Sequence, residues 1–305
     1  MDFTLKQLRY FVAAAEAGGL TAASRELAVS QPSLSAAIGQ LEARFGVQLF
    51  LRRKAQGLSL TPSGRFFLLS ARRLLEHAEE VAAAGRGLGG ELDGPLEVGC
   101  FVTLAPFFLP RLLKAVSDRQ PGVEVGIREA GVDGLKRALH EGAIELALLY
   151  DLDLDDRLET EALAAVPPMA LLPPDSPLAA RERVSLAELA ELPMIQFDLP
   201  HSREYFRSLF LAAGLDPIVR YRSASFEMVR SLVANGLGYS LLSLRPAGDR
   251  CYDGSRLVVR PLDAQVQPVP IMLARVRGAR LTRRAEAFAE ICRELLAASS
   301  VVDGA

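Results

Sequence analysis

The sequence predicts a small helical N-terminal domain followed by a larger α/β domain, and three observations support this division. The chain of 305 residues is long enough for two or three domains, each with its own core. Residues 1–73 carry 10 Lys and Arg against 4 Asp and Glu, whereas the remainder carries 25 against 33. Apolar residues recur at helical spacing early in the chain, and short apolar strands alternate with amphipathic helices from Pro95 onward. The fold class is therefore α/β with an all-α N-terminal domain.

Composition excludes several classes of protein. Half of the residues are apolar and 24% are charged, which is typical of a folded globular protein. No apolar stretch reaches the roughly 18 to 20 residues of a membrane helix, and the first residues lack the pattern of a signal peptide, so we expect a cytoplasmic protein with no membrane partner. Three Cys without CxxC spacing and three His argue against disulfides, metal sites and cofactors.

Three helices are predicted in the first 46 residues. The first extends from Leu5 to the Gly18-Gly19 pair, and the second, rich in small residues, covers Thr21 to Leu27. Ser30 is a good N-cap for a third helix that Gly46 ends. A helix, a short helix, a tight turn and a helix form the helix-turn-helix order.

The third helix has an unusual exposed face. Its buried stripe is formed by apolar residues at steps of four, three and four. The opposite side carries only small or polar uncharged residues: Pro32, Ser33, Ser35, Ala36, Gly39, Gln40 and Ala43. An ordinary solvated face is the alternative, but such faces usually carry Lys and Glu. Small side chains with Ser and Gln suit a helix that enters the major groove and touches base edges, so we predict double-stranded DNA as a partner.

The segments that follow extend this prediction. A basic turn with Arg52, Arg53 and Lys54 between short alternating residues predicts a β-hairpin wing whose cations contact phosphates. A long helix then begins at Thr61-Pro62, and its apolar residues alternate steps of four and three as in a heptad seam, which favours dimerisation. Glycines near Gly94-Pro95 mark its end. The predicted domains are residues 1–61, the linker helix 62–90 and residues 91–305.

The rest of the chain predicts two small α/β lobes around a cleft. We place the first lobe at residues 91–163 and 267–305 and the second at 164–266. Eight strands are expected, and they begin at Leu96, Val123, Ile144, Met169, Met194, Ile218, Tyr239 and Val269. The acidic run from Asp151 to Asp156 lacks the glycine and distal glutamate of a calcium loop, and we interpret it as a solvated connection between the lobes.

These motifs resemble those of the LysR-type transcriptional regulators over essentially the whole chain. The N-terminal motifs are the more specific: Leu5–Phe11, Leu20–Ser24, Ser30–Ser35, Ile38, Leu41-Glu42, Phe45–Val47, Leu49-Phe50 and Leu60–Gly64. The downstream motifs are Leu109-Pro110, Gln120–Val123 and Leu232–Gly238.

The resemblance implies a ligand-responsive regulator. It implies a winged helix-turn-helix, a dimerising linker helix and a C-terminal domain resembling periplasmic binding proteins that holds a small inducer. Family members assemble from homodimers to homotetramers on operators of interrupted dyad symmetry, with RNA polymerase as a further partner. Gln31, Pro32, Ser33 and Ser35 fall on base-reading positions, and Arg52 and Arg53 on wing positions. Many members carry arginine where this chain has Ala36, so we expect its operator to differ at that base.

The inducer site is predicted from the rule that ligands bind at the carboxyl ends of strands, near helix N-termini. Thr103 follows the first strand of the α/β domain, and Val132 follows the second. His201, Ser202 and Arg203 crowd a helix start, which suits an organic carboxylate, and Phe226 supplies an apolar wall. A helix cap is the alternative for Thr103. We therefore expect an anionic inducer.

Three alternatives remain open from the sequence. A redox-sensing regulator would use Cys100 or Cys251, although buried cysteine is more often a small hydrophobic residue. A solute-binding protein would share the lobes but would need an export signal and no helix-turn-helix. An enzyme is disfavoured because no GxSxG, HExxH, P-loop or GxGxxG pattern occurs.

Overall fold

The computed structural model describes residues 3–53, 57–85, 92–263 and 266–297. The chain divides into two compact units. One comprises the chain up to Leu92 together with Arg137–Ile144, and the other comprises Asp93–Lys136 together with the chain from Glu145. Within the described ranges, no helix is both long and apolar enough to cross a membrane.

Three short helices form the N-terminal core: α1 (Leu5–Glu16), α2 (Leu20–Glu26) and α3 (Gln31–Phe45). The Thr4 side chain caps α1 and the Ser30 side chain caps α3 by accepting from the amide of Ser33. Gly46 ends α3 with φ +64°, a left-handed conformation that glycine adopts without steric cost. The three predicted helices are therefore confirmed; α3 begins and ends at the predicted caps Ser30 and Gly46, whereas α2 begins and ends one residue earlier than predicted.

A two-stranded wing and a long helix follow. Strands β1 (Phe50–Arg53) and β2 (Gly57–Leu60) pair antiparallel. Thr61 connects the wing to helix α4 (Pro62–Gly85), because its hydroxyl donates to the carbonyl of Gln48 at 2.6 Å and accepts from the amide of Gly64. Gly64 is required at this junction, since a Cβ there would lie 2.1 Å from the Leu49 carbonyl oxygen.

The first lobe of the α/β domain, here lobe I, is a five-stranded sheet with three helices. Its elements are β3 (Asp93–Phe101), α5 (Ala105–Arg119), β4 (Gly122–Ala130), α6 (Val132–His140), β5 (Leu146–Tyr150), β6 (Leu158–Val166), β12 (Val269–Val276) and α10 (Arg283–Ala297). The strand order is β4-β3-β5-β12-β6. Strand β3 runs parallel to both neighbours, whereas β12 runs antiparallel to β5 and β6.

The second lobe, here lobe II, lies between β6 and β12 in the chain. Its elements are β7 (Met169–Leu172), a 3₁₀ turn (Pro177–Ala180), α7 (Leu186–Ala190), β8 (Pro193–Phe197), α8 (Pro200–Ala212), β9 (Ile218–Ser223), α9 (Phe226–Ala234), β10 (Ser240–Leu242) and β11 (Val258–Pro261). Strands β10, β7 and β11 form one antiparallel sheet, and β8 and β9 form a parallel pair. A parallel bridge between Met194 and Tyr239 connects the two sets.

Two strands and one connection differ from the predictions. Strands β6 and β11 were not predicted, because β6 is an edge strand with exposed glutamates and β11 is only four residues long. The acidic run connects β5 to β6 within lobe I, so its interpretation as a connection between lobes was wrong. The chain stays in the lobe I sheet as far as Val166, three residues beyond the predicted boundary.

Candidate functional site

Most of the predicted DNA-reading residues lie on the exposed face of α3. Gln31, Pro32, Ser33, Ala36 and Gln40 are exposed, and Ser35 is half-buried. The opposite stripe, Leu34, Ile38 and Leu41, is fully buried in the N-terminal core. Burial of that stripe fixes the rotation of α3, so a single surface without charge faces outward.

Two residues on this face are held by hydrogen bonds from neighbouring residues. The hydroxyls of Ser30 and Ser33 lie 2.7 Å apart, which couples the helix cap to the first exposed turn. The side-chain amide of Gln7 in α1 donates to Oε1 of Gln40 at 2.8 Å. The face is therefore partly pre-organised before any ligand arrives.

The three predicted wing cations are placed only in part. Arg52 and Arg53 lie in β1, opposite Leu58 and Gly57 in the hairpin register. Lys54 lies outside the described residues. The hairpin itself is present where the sequence predicts it, directly after the third helix.

A small cavity lies between lobe I and lobe II. Its volume is about 20 Å³. It is lined by Thr103, Tyr150, Leu152 and Val269 from lobe I, and by Phe197, Ser202, Tyr205, Phe206, Phe226, Leu242, Ser243 and Leu244 from lobe II. None of these lining residues carries a charge. A volume of this size accommodates about one water molecule, so the cleft is nearly closed.

Helix N-termini and hydroxyl groups converge on this cavity. Thr103 lies in the turn before α5, Ser202 in the first turn of α8, and Phe226 begins α9. The first amides of a helix have no partner within the helix, and the dipole makes this end positive. With the hydroxyl of Ser243 nearby, the cavity can therefore hold an oxygen-rich or anionic group without a charged side chain.

The two phenols of the cavity remain protonated far above neutral pH. Burial raises the pKa of Tyr150 well above its ordinary value, although a hydrogen bond with the Thr103 side chain acts in the opposite direction. Burial raises the pKa of Tyr205 to about 12. Both phenols are thus hydrogen-bond donors in this cavity, and the Tyr205 hydroxyl lies 3.2 Å from the carbonyl oxygen of Gln267.

Of the six residues predicted to bind the inducer, the structure brings Thr103, Ser202 and Phe226 to this cavity. The ring of Phe226 lies edge-on to Phe107 of lobe I, with centroids 6.0 Å apart, and to Phe197 of lobe II at 6.4 Å. It therefore forms an apolar wall that touches both lobes.

The other three predicted residues lie elsewhere. Val132 is 1% exposed and packs in the core of the domain. Nε2 of His201 lies 3.2 Å from the Asp133 carboxylate, across the cleft in lobe I. Arg203 donates to Asp198 at 2.8 Å and lines a separate surface groove with Gln196, Arg207 and Arg222.

Sequence reasoning missed several lining residues. Tyr150 ends a predicted strand and Ser243 follows another, so the strand-end rule used for Thr103 could have identified both. Tyr205 lies one turn beyond His201-Ser202, and helical spacing could have found it. Val269 lies in the strand that returns to lobe I, and no local sequence signal predicts that this strand brings it to the cavity.

None of the three cysteines lines the cavity. Cys100, Cys251 and Cys292 are all buried and free. Burial raises the pKa of the Cys100 and Cys292 thiols well above the ordinary value, so both stay protonated. In the part of the chain that the structure describes, no group of three or more His, Cys, Asp or Glu could hold a metal ion.

Family models match both parts of the chain. The model described as "Bacterial regulatory helix-turn-helix protein, lysR family" matches residues 5–65, and the model "LysR substrate binding domain" matches residues 89–297. The chain belongs to the LysR family of transcriptional regulators. Members of this family are regulators that bind DNA and small-molecule effectors and oligomerise, so the chain is a regulator and not an enzyme. Both the solute-binding and the enzyme alternatives are thereby excluded.

Individual relatives can be aligned with this LysR-type regulator over nearly its full length. The uncharacterized HTH-type transcriptional regulator YvbU of Bacillus subtilis is 32% identical over 97% of this chain and 99% of its own. The dual regulator OxyR of Escherichia coli is 31% identical over 95% and 94%. The crystal structure of HinK from Pseudomonas aeruginosa is 41% identical, covers 97% and 99% of the two chains, and has a TM-score of 0.66.

Proposed function

We propose that the cavity between the lobes is the effector site of this LysR-type regulator. The observation that carries the proposal is the convergence of three helix N-termini and the hydroxyls of Thr103, Ser202 and Ser243 on one uncharged cavity. Such a site favours a carboxylate or another small oxygen anion, since amides and hydroxyls donate and the dipoles attract negative charge. Phe226 supplies the apolar wall for the rest of the molecule.

The size of the cavity implies that the lobes separate when the effector enters. About 20 Å³ does not accommodate a carboxylic acid of several heavy atoms. Two contacts cross the cleft in the closed form, the edge-on rings of Phe107 and Phe226 and the pair of His201 with Asp133. The effector must break or rearrange these contacts, and this difference between open and closed forms is what can couple it to DNA binding.

The DNA interface of the proposal uses the exposed face of α3. Gln31, Pro32, Ser33, Ser35, Ala36 and Gln40 lie in the major groove, and Arg52, Arg53 and Lys54 contact phosphates. Helix α4 pairs two chains through its heptad seam, and pairs assemble into a homotetramer on an operator of interrupted dyad symmetry, with RNA polymerase as a further partner. A regulator of bacterial DNA acts in the cytoplasm. The functional division is residues 1–61, 62–90 and 91–305.

The effector site is tested by thermal denaturation of the full chain with a panel of small carboxylic acids. A true effector at 100 times its Kd stabilises the folded chain by about 2.7 kcal/mol and raises the melting temperature by several degrees. Thr103→Val and Ser202→Ala should each weaken that effector about tenfold, because each removes one hydrogen bond to a charged ligand.

The matched control is Arg203→Ala, which removes a cation from the same helix turn but outside the cavity. We expect it to leave effector affinity unchanged. Loss of binding in Arg203→Ala with unchanged binding in Thr103→Val would place the site in the groove of Arg203 instead. Protection of genomic DNA by the purified chain at two salt concentrations tests the operator, since discrete sites with dyad symmetry are required.

Peroxide sensing is the second candidate function. Curated relatives carry the name hydrogen peroxide-inducible genes activator, and one of them, from Mycobacterium avium, is 32% identical over 78% of this chain. A cavity that holds one small polar molecule also fits hydrogen peroxide. Against this, none of the three cysteines lines the cavity, and burial keeps the Cys100 thiol protonated. Operator affinity that changes after mild peroxide, and no longer does so in Cys100→Ser or Cys251→Ser, would favour it.

A further inference from the structure

A second concave site lies on the surface of lobe II and is formed by α8, β8 and β9. Its volume is about 370 Å³, within the range of about 300 to 1,000 Å³ that is typical of small-molecule sites. None of its lining residues lines the cavity between the lobes. We call this site the α8–β9 groove. Its lining residues are Gln196, Arg203, Glu204, Arg207, Asp216, Pro217, Val219 and Arg222.

A β-bulge directs Arg222 into this groove. The register of β8 and β9 shifts by one residue after Val219, so that Arg220 is an extra residue and Arg222 lies opposite Gln196. Side chains alternate along a strand, and without the extra residue Tyr221 would share a face with Val219. The bulge reverses the alternation and places Arg222 beside Val219 in the groove. Bulges often lie next to functional sites, where they redirect a side chain.

Most charged side chains of the groove are unpaired. Among the described residues, no ion pair or side-chain hydrogen bond is formed by Glu204, Arg207, Asp216 or Arg222. Arg203 is the exception, because it donates to Asp198 at 2.8 Å. Two guanidinium groups and two carboxylates therefore line one groove without neutralising each other.

The base of the groove contains an unsatisfied amide. Gln196 is 3% exposed, and its Oε1 has no hydrogen-bond partner among the described residues. A buried acceptor without a donor destabilises the folded chain. The terminal torsion of glutamine has a broad energy minimum, so the amide can turn this oxygen toward a donor that enters the groove. A ligand that satisfies Gln196 must therefore carry an N–H or O–H group.

These groups together define the chemistry of the ligand. Arg207 and Arg222 can only donate hydrogen bonds and require an anion, whereas the oxygens of Glu204, Asp216 and Gln196 require donors. A simple anion would be repelled by the two carboxylates, and a simple cation by the two guanidinium groups. We propose that the α8–β9 groove is a second ligand site, which binds a small anion that also carries N–H or O–H donors. Zwitterionic amino acids and phosphorylated sugars share this chemistry.

The site is tested by isothermal titration of the full chain with the standard amino acids and with hexose phosphates, at constant ionic strength. Sulfate and betaine are the control ligands, because sulfate carries no donor and betaine is a zwitterion without an N–H group. We expect saturable binding of an amino acid or a hexose phosphate and no binding of either control. The class that binds identifies the source of the ligand. The same affinity in Thr103→Val would separate this site from the cavity between the lobes.

Four variants locate the site. Arg207→Gln and Arg222→Gln should each weaken binding about tenfold, because each removes a charge-assisted hydrogen bond. Gln196→Met should weaken binding about fivefold and yet raise the melting temperature of the free chain, since it removes the unsatisfied amide. A merely structural role of Gln196 would not produce this split. Arg220→Gln is the matched control, because Arg220 is an exposed arginine of the same strand outside the groove, and it should leave the affinity unchanged.

Three results would overturn the proposal. One is the absence of saturable binding by every amino acid and hexose phosphate. Another is binding of sulfate as tight as that of the best ligand, which would show only a general attraction of anions to arginine. The third is a dimer that dissociates in Arg222→Gln while ligand affinity is unchanged, which would assign the groove to a second copy of the chain. Failure of carboxylic acids to bind the cavity would overturn the effector site alone.

Discussion

The two lobes have the same topology, although they share little sequence. Lobe I has the strand order β4-β3-β5-β12-β6, and lobe II has β9-β8-β10-β7-β11 when the bridge between Met194 and Tyr239 is included. In both, three strands run parallel through two βαβ units, the fourth strand (β12 or β7) runs antiparallel to them, and the edge strand (β6 or β11) pairs antiparallel with that fourth strand. The cavity lies where these two equivalent units face each other.

The centres of the two sheets differ. In lobe I, strand β5 is five residues long, fully buried and apolar, and pairs along its length with β3 and β12. In lobe II the equivalent β10 has three residues, and only one bridge connects it to β8. Polar groups are also buried in lobe II, among them Arg230. Among the described residues, neither the Tyr239 hydroxyl nor Oε1 of Gln196 has a hydrogen-bond partner, whereas the unpartnered Nε of Arg284 in lobe I lies in helix α10 and not in the sheet.

This difference assigns different mechanical roles to the lobes. The continuous sheet of lobe I, with its apolar centre, is a rigid support. The sheet of lobe II consists of two parts joined by one bridge, and it contains unsatisfied polar groups, so deforming it requires less free energy. We expect lobe II to adjust when an effector separates the lobes, while lobe I keeps its shape. Hydrogen exchange resolved by peptide should show slower exchange in β5 than in β10.

The largest effect is expected for Gly238→Ala. Gly238 has φ +147°, and a Cβ there would lie 2.2 Å from the carbonyl oxygen of Pro193, which accepts from Tyr239 beside the bridge. Strain and clash together should destabilise lobe II by about 3 kcal/mol or more. The measurement is hydrogen exchange in β8 and β10.

Gly94→Ala in lobe I is the matched control. Gly94 also has a left-handed φ, +99°, but a Cβ there would lie 3.5 Å from the Arg284 side chain, an ordinary contact. We expect a cost of about 1 to 2 kcal/mol from backbone strain alone. If Gly238→Ala and Gly94→Ala lower the free energy of unfolding equally, the connection between β8 and β10 is no easier to disrupt than lobe I.

Arg230→Met should be the next most damaging change. The Arg230 side chain is 2% exposed, pairs with Glu227 at 2.9 Å and donates to the carbonyls of Gly248 and Arg250. Its removal leaves the Glu227 carboxylate, which still accepts from the Tyr252 amide, without its cation, and leaves two carbonyls without this donor; the expected cost is about 3 kcal/mol. The exposed pair of Arg245 and Asp249 is the control, and Arg245→Ala should cost less than about 1 kcal/mol in urea denaturation.

Two tyrosines should respond in opposite directions to loss of the hydroxyl. Tyr150→Phe in lobe I loses the hydrogen bond with Thr103 and should lower the free energy of unfolding by about 1 kcal/mol. Tyr239→Phe in lobe II removes a buried hydroxyl for which the described residues provide no partner, and should be neutral or stabilising by up to about 1 kcal/mol. Destabilisation by Tyr239→Phe equal to that by Tyr150→Phe would contradict the contrast between the lobes.

Alkaline pH should lower the free energy of unfolding, because Tyr205 in the cleft loses its proton more readily in the unfolded chain. The folded-state pKa of Tyr205 is about 12 against an ordinary value of 10, so the unfolded chain loses this proton first. The contribution of Tyr205 to the free energy of unfolding is therefore fully present below pH 10 and is lost as pH rises from 10 to 12. Tyr205→Phe should reduce the slope of the melting temperature between these pH values, and an unchanged slope would contradict the assignment.

The smallest effect is expected at the contact that crosses the cleft. The Asp133 side chain is 63% exposed, so its pair with His201 is largely screened by solvent. Asp133→Asn should change the free energy of unfolding by less than about 0.5 kcal/mol. A larger loss would mean that this pair holds the lobes closed more firmly than its exposure suggests.

The local elements could be predicted from the sequence where one strong signal dominates. Ser30 and Gly46 define both ends of α3, and the wing follows directly. Strand β6 gave no such signal, because an edge strand buries neither face completely and its alternating pattern is interrupted by Glu159 and Glu161. The return of β12 to lobe I depends on pairing with β5, more than 100 residues earlier, which no local pattern encodes.

By itself, the sequence determined the family, the helix-turn-helix, the exposed uncharged face of α3 and the presence of two lobes, since capping, periodicity and charge are local properties. Only the tertiary structure decided which strand-end residues share a cavity. It placed Thr103, Ser202 and Phe226 together with Tyr150 and left Arg203 outside. Adjacent residues such as Ser202 and Arg203 lie about 100° apart around a helix, so the packing of α8 determines which of them faces the other lobe.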